Sequence, residues 1–154
     1  MNEYAIECRG ITKTFGTVVA NDNIDLHVRY GEILALLGEN GSGKTTLMNM
    51  LSGIYHPDKG TIRVGGQEVT IRTPEDSMAL GIGMIYQHFK LVDVFTAMDN
   101  IALGTPGRRL PAKVLREKVR EIGRSIGLEV DPDQYVYDMS VSEKQTVEIL
   151  KVLY

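Results

Sequence analysis

The chain is short of cysteine, of long apolar runs and of basic charge, and each shortage excludes something. Its single cysteine, Cys8, among 154 residues allows no internal disulfide and fits a reducing compartment. Cys8 sits in a strand-like run, where a small buried thiol is expected rather than a reactive one. No apolar stretch approaches the roughly 18–20 residues that span a bilayer. Met1-Asn2-Glu3-Tyr4 lacks the basic and then apolar order of a secretory signal. The formal net charge is −3, which argues against nucleic acid as a main partner. No internal repeat or low-complexity segment stands out. What remains is ordinary for a globular protein: a hydrophobic content of 43% and a length at which a domain buries roughly 68–70% of its unfolded surface.

The most informative stretch is Gly38-Glu39-Asn40-Gly41-Ser42-Gly43-Lys44-Thr45. It fits the phosphate-loop pattern G-x-x-x-x-G-K-[ST] at every fixed position. The apolar residues 33–37 before it have the length of a buried strand, and Thr46-Leu47-Met48-Asn49-Met50-Leu51 after it reads as the first turns of a helix. A chance match in a Gly-rich turn would not need that strand–turn–helix context. The chemistry follows from the residue types. Backbone N–H groups of a loop wrapped round a polyphosphate can each donate a hydrogen bond, and the free N–H groups of the helix start, Thr46 included, add to the field. Gly38, Gly41 and Gly43 allow close approach of the chain to its ligand. Lys44 supplies a mobile cation for the outer phosphates, and Thr45 a hydroxyl for Mg²⁺.

Around the loop, residues 4–8 alternate as a strand, and Thr12 to Thr17 carry turn chemistry expected to break it. Ile24, Leu26 and Val28 alternate with Asp25, His27 and Arg29, the pattern of a half-buried strand with His27 on the solvated face. The helix after Lys44 is expected to end near Ser52, with Gly53 as its cap. His56 falls in a turn at Pro57. Two short strands flank Gly65-Gly66, a hairpin signal. Thr73-Pro74-Glu75-Asp76 combines an N-cap, a first-turn proline and first-turn acids, and that helix should stop at Gly81. Residues 82–86 read as a short apolar strand ending at Gln87. Beyond it the character becomes helical. Thr96 caps a short helix, Gly104 to Gly107 form a linker, and Pro111 opens a longer helix with Val114, Leu115, Val119, Ile122 and Ile126 at helical spacing. Its opposite face, with Lys113, Arg116, Glu117, Lys118 and Arg120, reads as a solvated face. A last helix is expected from Ser142 to Tyr154.

Together these residues resemble the ATP-binding domain of an ABC transporter, over essentially the whole chain. Four features beyond the loop carry the resemblance. Phe15 stands where the family places an aromatic that stacks on adenine. Gln87 matches the glutamine of the family's Q-loop, a contact to Mg²⁺ and water that also begins the hinge to a helical subdomain. Thr96 to Leu103 is similar to the segment that follows, with Asp99-Asn100 in place of Glu-Asn. Met139-Ser140-Val141-Ser142-Glu143-Lys144-Gln145 aligns with the signature Leu-Ser-Gly-Gly-Gln, departing from it at Val141, Ser142 and Glu143. The simpler reading of Ser140 is a helix cap.

The resemblance implies an α/β phosphate-loop NTPase of ABC type. It would have an N-terminal antiparallel β subdomain, a phosphate-loop core over residues 1–87, and a Q-loop hinge with helical signature subdomain over 88–154. Lys44 and Gln87 would act in catalysis. Phe15 and residues 38–46 would bind ATP, Thr45 and Gln87 would meet Mg²⁺, and Ser140 and Ser142 would touch ATP held by a second ATP-binding domain, in the same or another chain. Transmembrane permease subunits would be the other partners, met through residues 88–100, at the cytoplasmic face of the cell membrane. The Ser-Val signature is most similar to importers of simple sugars and nucleosides. The family's apolar run ending in Asp-Glu, which supplies a Mg²⁺ ligand and the catalytic base, does not occur before Tyr154. The domain is therefore expected to be incomplete, with weak or no ATP turnover by itself and an open parallel sheet.

Three alternatives stay open at this point. A small kinase or GTPase shares the loop, but no Asn-Lys-x-Asp guanine reader or Arg-rich lid is present. A soluble ABC protein acting on ribosomes or DNA would be expected to carry long basic segments. A nucleotide-binding module without turnover fits the residues as they stand.

Overall fold

The computed structural model describes residues 3–86, 89–103 and 110–154. They form two compact units that divide between Ile82 and Gly83; the expected boundary at Gln87 lies outside the described residues.

The first unit is built on an antiparallel sheet of four strands in the order β2-β1-β3-β4. Strand β1 spans Tyr4–Phe15, β2 Val18–Arg29, β3 Lys59–Val64 and β4 Gln67–Val69. The half-buried face of β2 is made by Ile24, Leu26 and Val28, with Asp25, His27 and Arg29 exposed, as alternation requires. Gly65 and Gly66 join β3 to β4 with φ of 56° and 80°, the two positive values of a hairpin turn matched to strand twist. Helix α1, Lys44–Leu51, and helix α2, Pro74–Ala79, complete the unit. Thr73 caps α2 through a reciprocal box with Asp76. Cys8, Ile11, Leu47, Met50, Leu51, Ile62 and Ile71 form the core, and burial raises the Cys8 thiol to about 11, so it is a structural thiol.

Two expectations fail here. Thr12 to Phe15 do not break β1; the strand continues to Phe15 and turns at Gly16. Pairing with β2 and the Asp58 side chain overrides the local turn chemistry. The two apolar runs, residues 33–37 and 82–86, are not strands. Ile33 is 99% and Leu37 89% exposed. A strand's N–H and C=O groups need a neighbour to pair with, and neither run has one among the described residues.

The second unit is helical: α3 (Ala97–Ala102), α4 (Ala112–Ile126), a 3₁₀ turn at Val136–Asp138 and α5 (Val141–Leu153). Ala97, Met98, Ile101, Leu115, Val119, Val136, Met139, Val147 and Leu150 make its core. The spacing along α4 buries Leu115 and Val119 and leaves Val114 and Ile126 exposed, so the apolar stripe is narrower than the sequence suggests. Fully buried Asn100 ties α3 to the segment before it. Its amide oxygen accepts from Val92 N–H at 2.7 Å, and its NH₂ donates to the carbonyls of Val92 and Thr96, both at 3.0 Å. The linker at Gly104 to Gly107 lies outside the described residues.

Candidate functional site

Helix α1 starts without a side-chain cap. Its N-cap is Gly43 at φ 87°, and no acidic residue stands in its first turn. A Cβ on Gly43 would come within 2.2 Å of the Ala20 carbonyl and 2.8 Å of Asn21 Nδ2, so both backbone angle and space demand glycine. β2 sets this position. Asn21 Nδ2 donates to the Gly43 carbonyl at 3.2 Å, which also accepts the Leu47 N–H at 3.0 Å. Asn21 is 5% exposed, and its Oδ1 has no partner among the described residues. Asn21 was not among the expected site residues. The alternation of Ile24, Leu26 and Val28 would turn it outward. The pairing moves from Ile11↔Ile24 to Lys13↔Asn21, so β2 carries an extra residue there, and such a bulge inverts the inside–outside phase.

The N–H groups of Gly43, Lys44, Thr45 and Thr46 meet no acceptor among the described residues. Lys44 Nζ lies over the loop, donating to the Gly38 and Glu39 carbonyls at 2.7 Å each and to Ser42 Oγ at 3.3 Å. The Ser42 N–H closes a turn onto the Glu39 carbonyl at 3.2 Å. No Cβ contact would occur within 4 Å of Gly41, which leaves that side of the loop open to a ligand, and Asn40 is exposed beside it. Unspent N–H groups, a helix start and a cation within the loop make an anion cradle. The donor set fits a polyphosphate. Thr45 is exposed, and its hydroxyl fits one position of a Mg²⁺ ion, which typically takes one or two protein ligands and completes its shell with phosphate and water. No cluster of three or more His, Cys, Asp or Glu suited to a metal occurs among the described residues, so such an ion would depend on the phosphates.

Phe15 is at the end of β1, 42% exposed, with its ring 5.1 Å from that of Tyr55 at 70°. Gln87 lies outside the described residues. Ser140 is the N-cap of α5, and its side chain is engaged in a reciprocal box. Ser140 Oγ donates to Glu143 Oε2 at 2.7 Å, the Ser140 N–H donates to the same oxygen at 2.8 Å, and the Glu143 N–H donates back to Ser140 Oγ at 3.3 Å. These bonds, the one from the Ser140 hydroxyl foremost, hold Glu143 below the usual glutamate range. Ser142 is exposed in the first turn. Phe15 and residues 38–46 thus lie in the first unit, and Ser140 and Ser142 in the second.

The ABC transporter family model matches residues 21–154. The chain is 49% identical over 156 residues to the nucleoside import ATP-binding protein NupA of Lactococcus lactis, covering 99% of this chain and 31% of that protein. It is 50% identical over 155 residues to the guanosine import ATP-binding protein NupO of Bacillus subtilis, covering 99% and 30%. It therefore spans about a third of the length of these curated relatives. Among solved structures it resembles CbiO1 from Clostridium perfringens, with TM-score 0.81, 25% identity, and 99% of this chain against 62% of that one. It also resembles MJ1267, an ATP-binding cassette of an ABC transporter in its ADP conformation, with TM-score 0.85, 23% identity, and 99% against 65%.

Proposed function

The chain belongs to the ABC transporter family, and from that premise we propose that it is the nucleotide-holding part of an ATPase that drives import of nucleosides or simple sugars. The observation that carries the proposal is the bare start of α1, where four N–H groups and Lys44 face no protein anion. Relatives named as nucleoside, guanosine and ribose import proteins support the solute class.

In this reading the loop N–H groups hold the phosphates and Lys44 leaves the Gly38 and Glu39 carbonyls to neutralise the outer ones. Thr45, with Gln87, would hold Mg²⁺, which supplies charge neutralisation at the phosphates. Phe15 would take the adenine. These groups donate and neutralise. In-line attack by water also needs a base to take its proton, and neither the Lys44 ammonium nor the Gln87 amide can serve as one, so the chain by itself should hold ATP rather than turn it over. Ser140 and Ser142 would meet ATP on a second ATP-binding domain, and residues 88–100 would contact permease subunits at the inner membrane face. No described helix is long and apolar enough to cross a membrane.

The test is an ATP titration. Saturable binding, weakened about tenfold or more in Lys44→Ala and weaker for GTP, is expected, with negligible steady-state phosphate release. Ordinary ATPase rates abolished by Lys44→Ala would overturn the statement on turnover. Binding indifferent to Lys44→Ala would overturn the site.

A further inference from the structure

Phe15 sits on a strand end that is only half supported. At Thr14 and Phe15, β1 pairs with Val19 and Val18 of β2. On its other edge the pairing with β3 reaches only Thr12↔Lys59, after a register shift. The N–H of Thr14 therefore has no ladder partner on that edge. A single side chain takes the place of the missing strand. Asp58 Oδ2 accepts the Thr14 N–H at 2.7 Å and the Thr14 hydroxyl at 2.7 Å, and Oδ1 accepts Lys13 Nζ at 2.9 Å. The Asp58 N–H itself donates to the Thr12 carbonyl at 2.8 Å. One residue thus grips three consecutive positions leading to Phe15.

The grip reaches the ring as well. Lys13 Nζ, held by Asp58, stands over the Phe15 ring, 5.5 Å from its centroid, and the Lys13 side chain is only 15% exposed. Tyr55, fixed by its N–H to the Asn49 carbonyl at 3.1 Å, brackets the same ring. A stacking platform needs a fixed orientation, because a ring that swings loses the overlap that makes stacking favourable. The bonds from Lys13 and then Thr14 lower the Asp58 carboxyl to about 2, so the grip persists through the neutral range.

We propose that Asp58 is a positioning residue for base recognition: through Lys13 and Thr14 it orients Phe15 toward the adenine of a bound nucleotide. Its hydrogen bonds go to Thr12, Lys13 and Thr14 and none to residues 38–46, so its removal should weaken only the part of affinity that comes from the base. The proposal rests on Phe15 being the adenine contact.

The experiment compares the affinity of the full chain for ATP with that for inorganic tripolyphosphate, in Phe15→Ala, Asp58→Ala and Asp58→Asn. Asp58→Asn keeps an acceptor for the Thr14 N–H, so it serves where Asp58→Ala fails to fold. The expected result is a loss of about three- to tenfold for ATP in Asp58→Ala, the scale of one modest interaction, with a smaller loss in Asp58→Asn. Tripolyphosphate affinity should stay within about twofold. An ATP-specific loss in Phe15→Ala without one in either Asp58 variant overturns the proposal and leaves the adenine contact standing. Equal losses for both ligands in the Asp58 variants overturn it in favour of a merely stabilising turn. If Phe15→Ala leaves ATP affinity unchanged, the adenine contact itself falls, and the proposal with it.

Discussion

Helices α1 and α5 both begin at a small residue where the family resemblance expects phosphate recognition, yet their starts are furnished in opposite ways. At α1 the cap is a glycine in the left-handed region with no side-chain bond and no first-turn acid. At α5 the cap is Ser140, closed on Glu143 by a reciprocal box. A helix start carries partial positive charge from its unpaired N–H groups. At α5 the Glu143 carboxylate takes the Ser140 N–H and hydroxyl, and the Ser140 hydroxyl takes the Glu143 N–H, which stabilises the helix and puts a negative charge at its start. The α1 start has given up that stabilisation and is held instead from outside, by Asn21 on β2. What separates the two starts is the carboxylate at α5 and the lysine over the loop at α1.

The largest expected effect breaks the α1 side of this contrast. Lys44→Ala should weaken ATP binding about ten- to a hundredfold, the scale of a charge-assisted hydrogen bond, with little change in thermal stability. Calorimetric titration and melting, done together, check both halves. Next, Gly43→Ala should cost roughly 1–2 kcal/mol or more of stability, since its Cβ would meet the Ala20 carbonyl and its φ is positive. It should also abolish tight phosphate binding; an unaltered melting midpoint would show that the loop is not packed against β2.

The α5 side predicts the reverse pattern. Ser140→Ala should cost about 1 kcal/mol of stability, the usual scale for a lost cap, and leave the isolated chain's ATP affinity unchanged. An ATP-specific loss there would mean that α5 shares in binding within one chain.

The smallest effect concerns pH. Glu143 is held below its ordinary value by the Ser140 hydroxyl, so its contribution to stability is complete above that ordinary value. It fades as pH falls through the lowered one. Melting midpoints of the wild type and Glu143→Gln should differ at neutral pH and converge in acid. Asp133, also lowered, by its bond from Arg116, remains in both proteins and cancels. A difference constant down to strong acid would deny that the box is charged.

Much of this contrast could be read from the sequence because it is local. The phosphate loop, Thr73 with Asp76, the Gly65-Gly66 turn and the start of α5 each declare themselves within a few residues. What the sequence hid depends on partners far along the chain. Thr12 to Phe15 remain strand only because β2 and Asp58 pair with them. Asn21 faces the loop only because a bulge reverses the alternation of β2. The apolar residues 33–37 have every local mark of a strand, and they stay irregular and exposed for lack of a neighbour among the described residues. Strand pairing is not encoded in one segment, which is why hairpins were legible and these runs were not.

The central claim is that the bare start of α1 is the phosphate site of this chain and the capped start of α5 is not. Backbone amide chemical shifts, followed while inorganic tripolyphosphate and then ATP are added, test it most directly. The predicted result is that the N–H signals of Gly41 to Thr46 move with both ligands and those of Ser140 to Glu143 with neither, while Phe15 responds to ATP alone. Shifts confined to the α5 start, or none at residues 41–46, would contradict it.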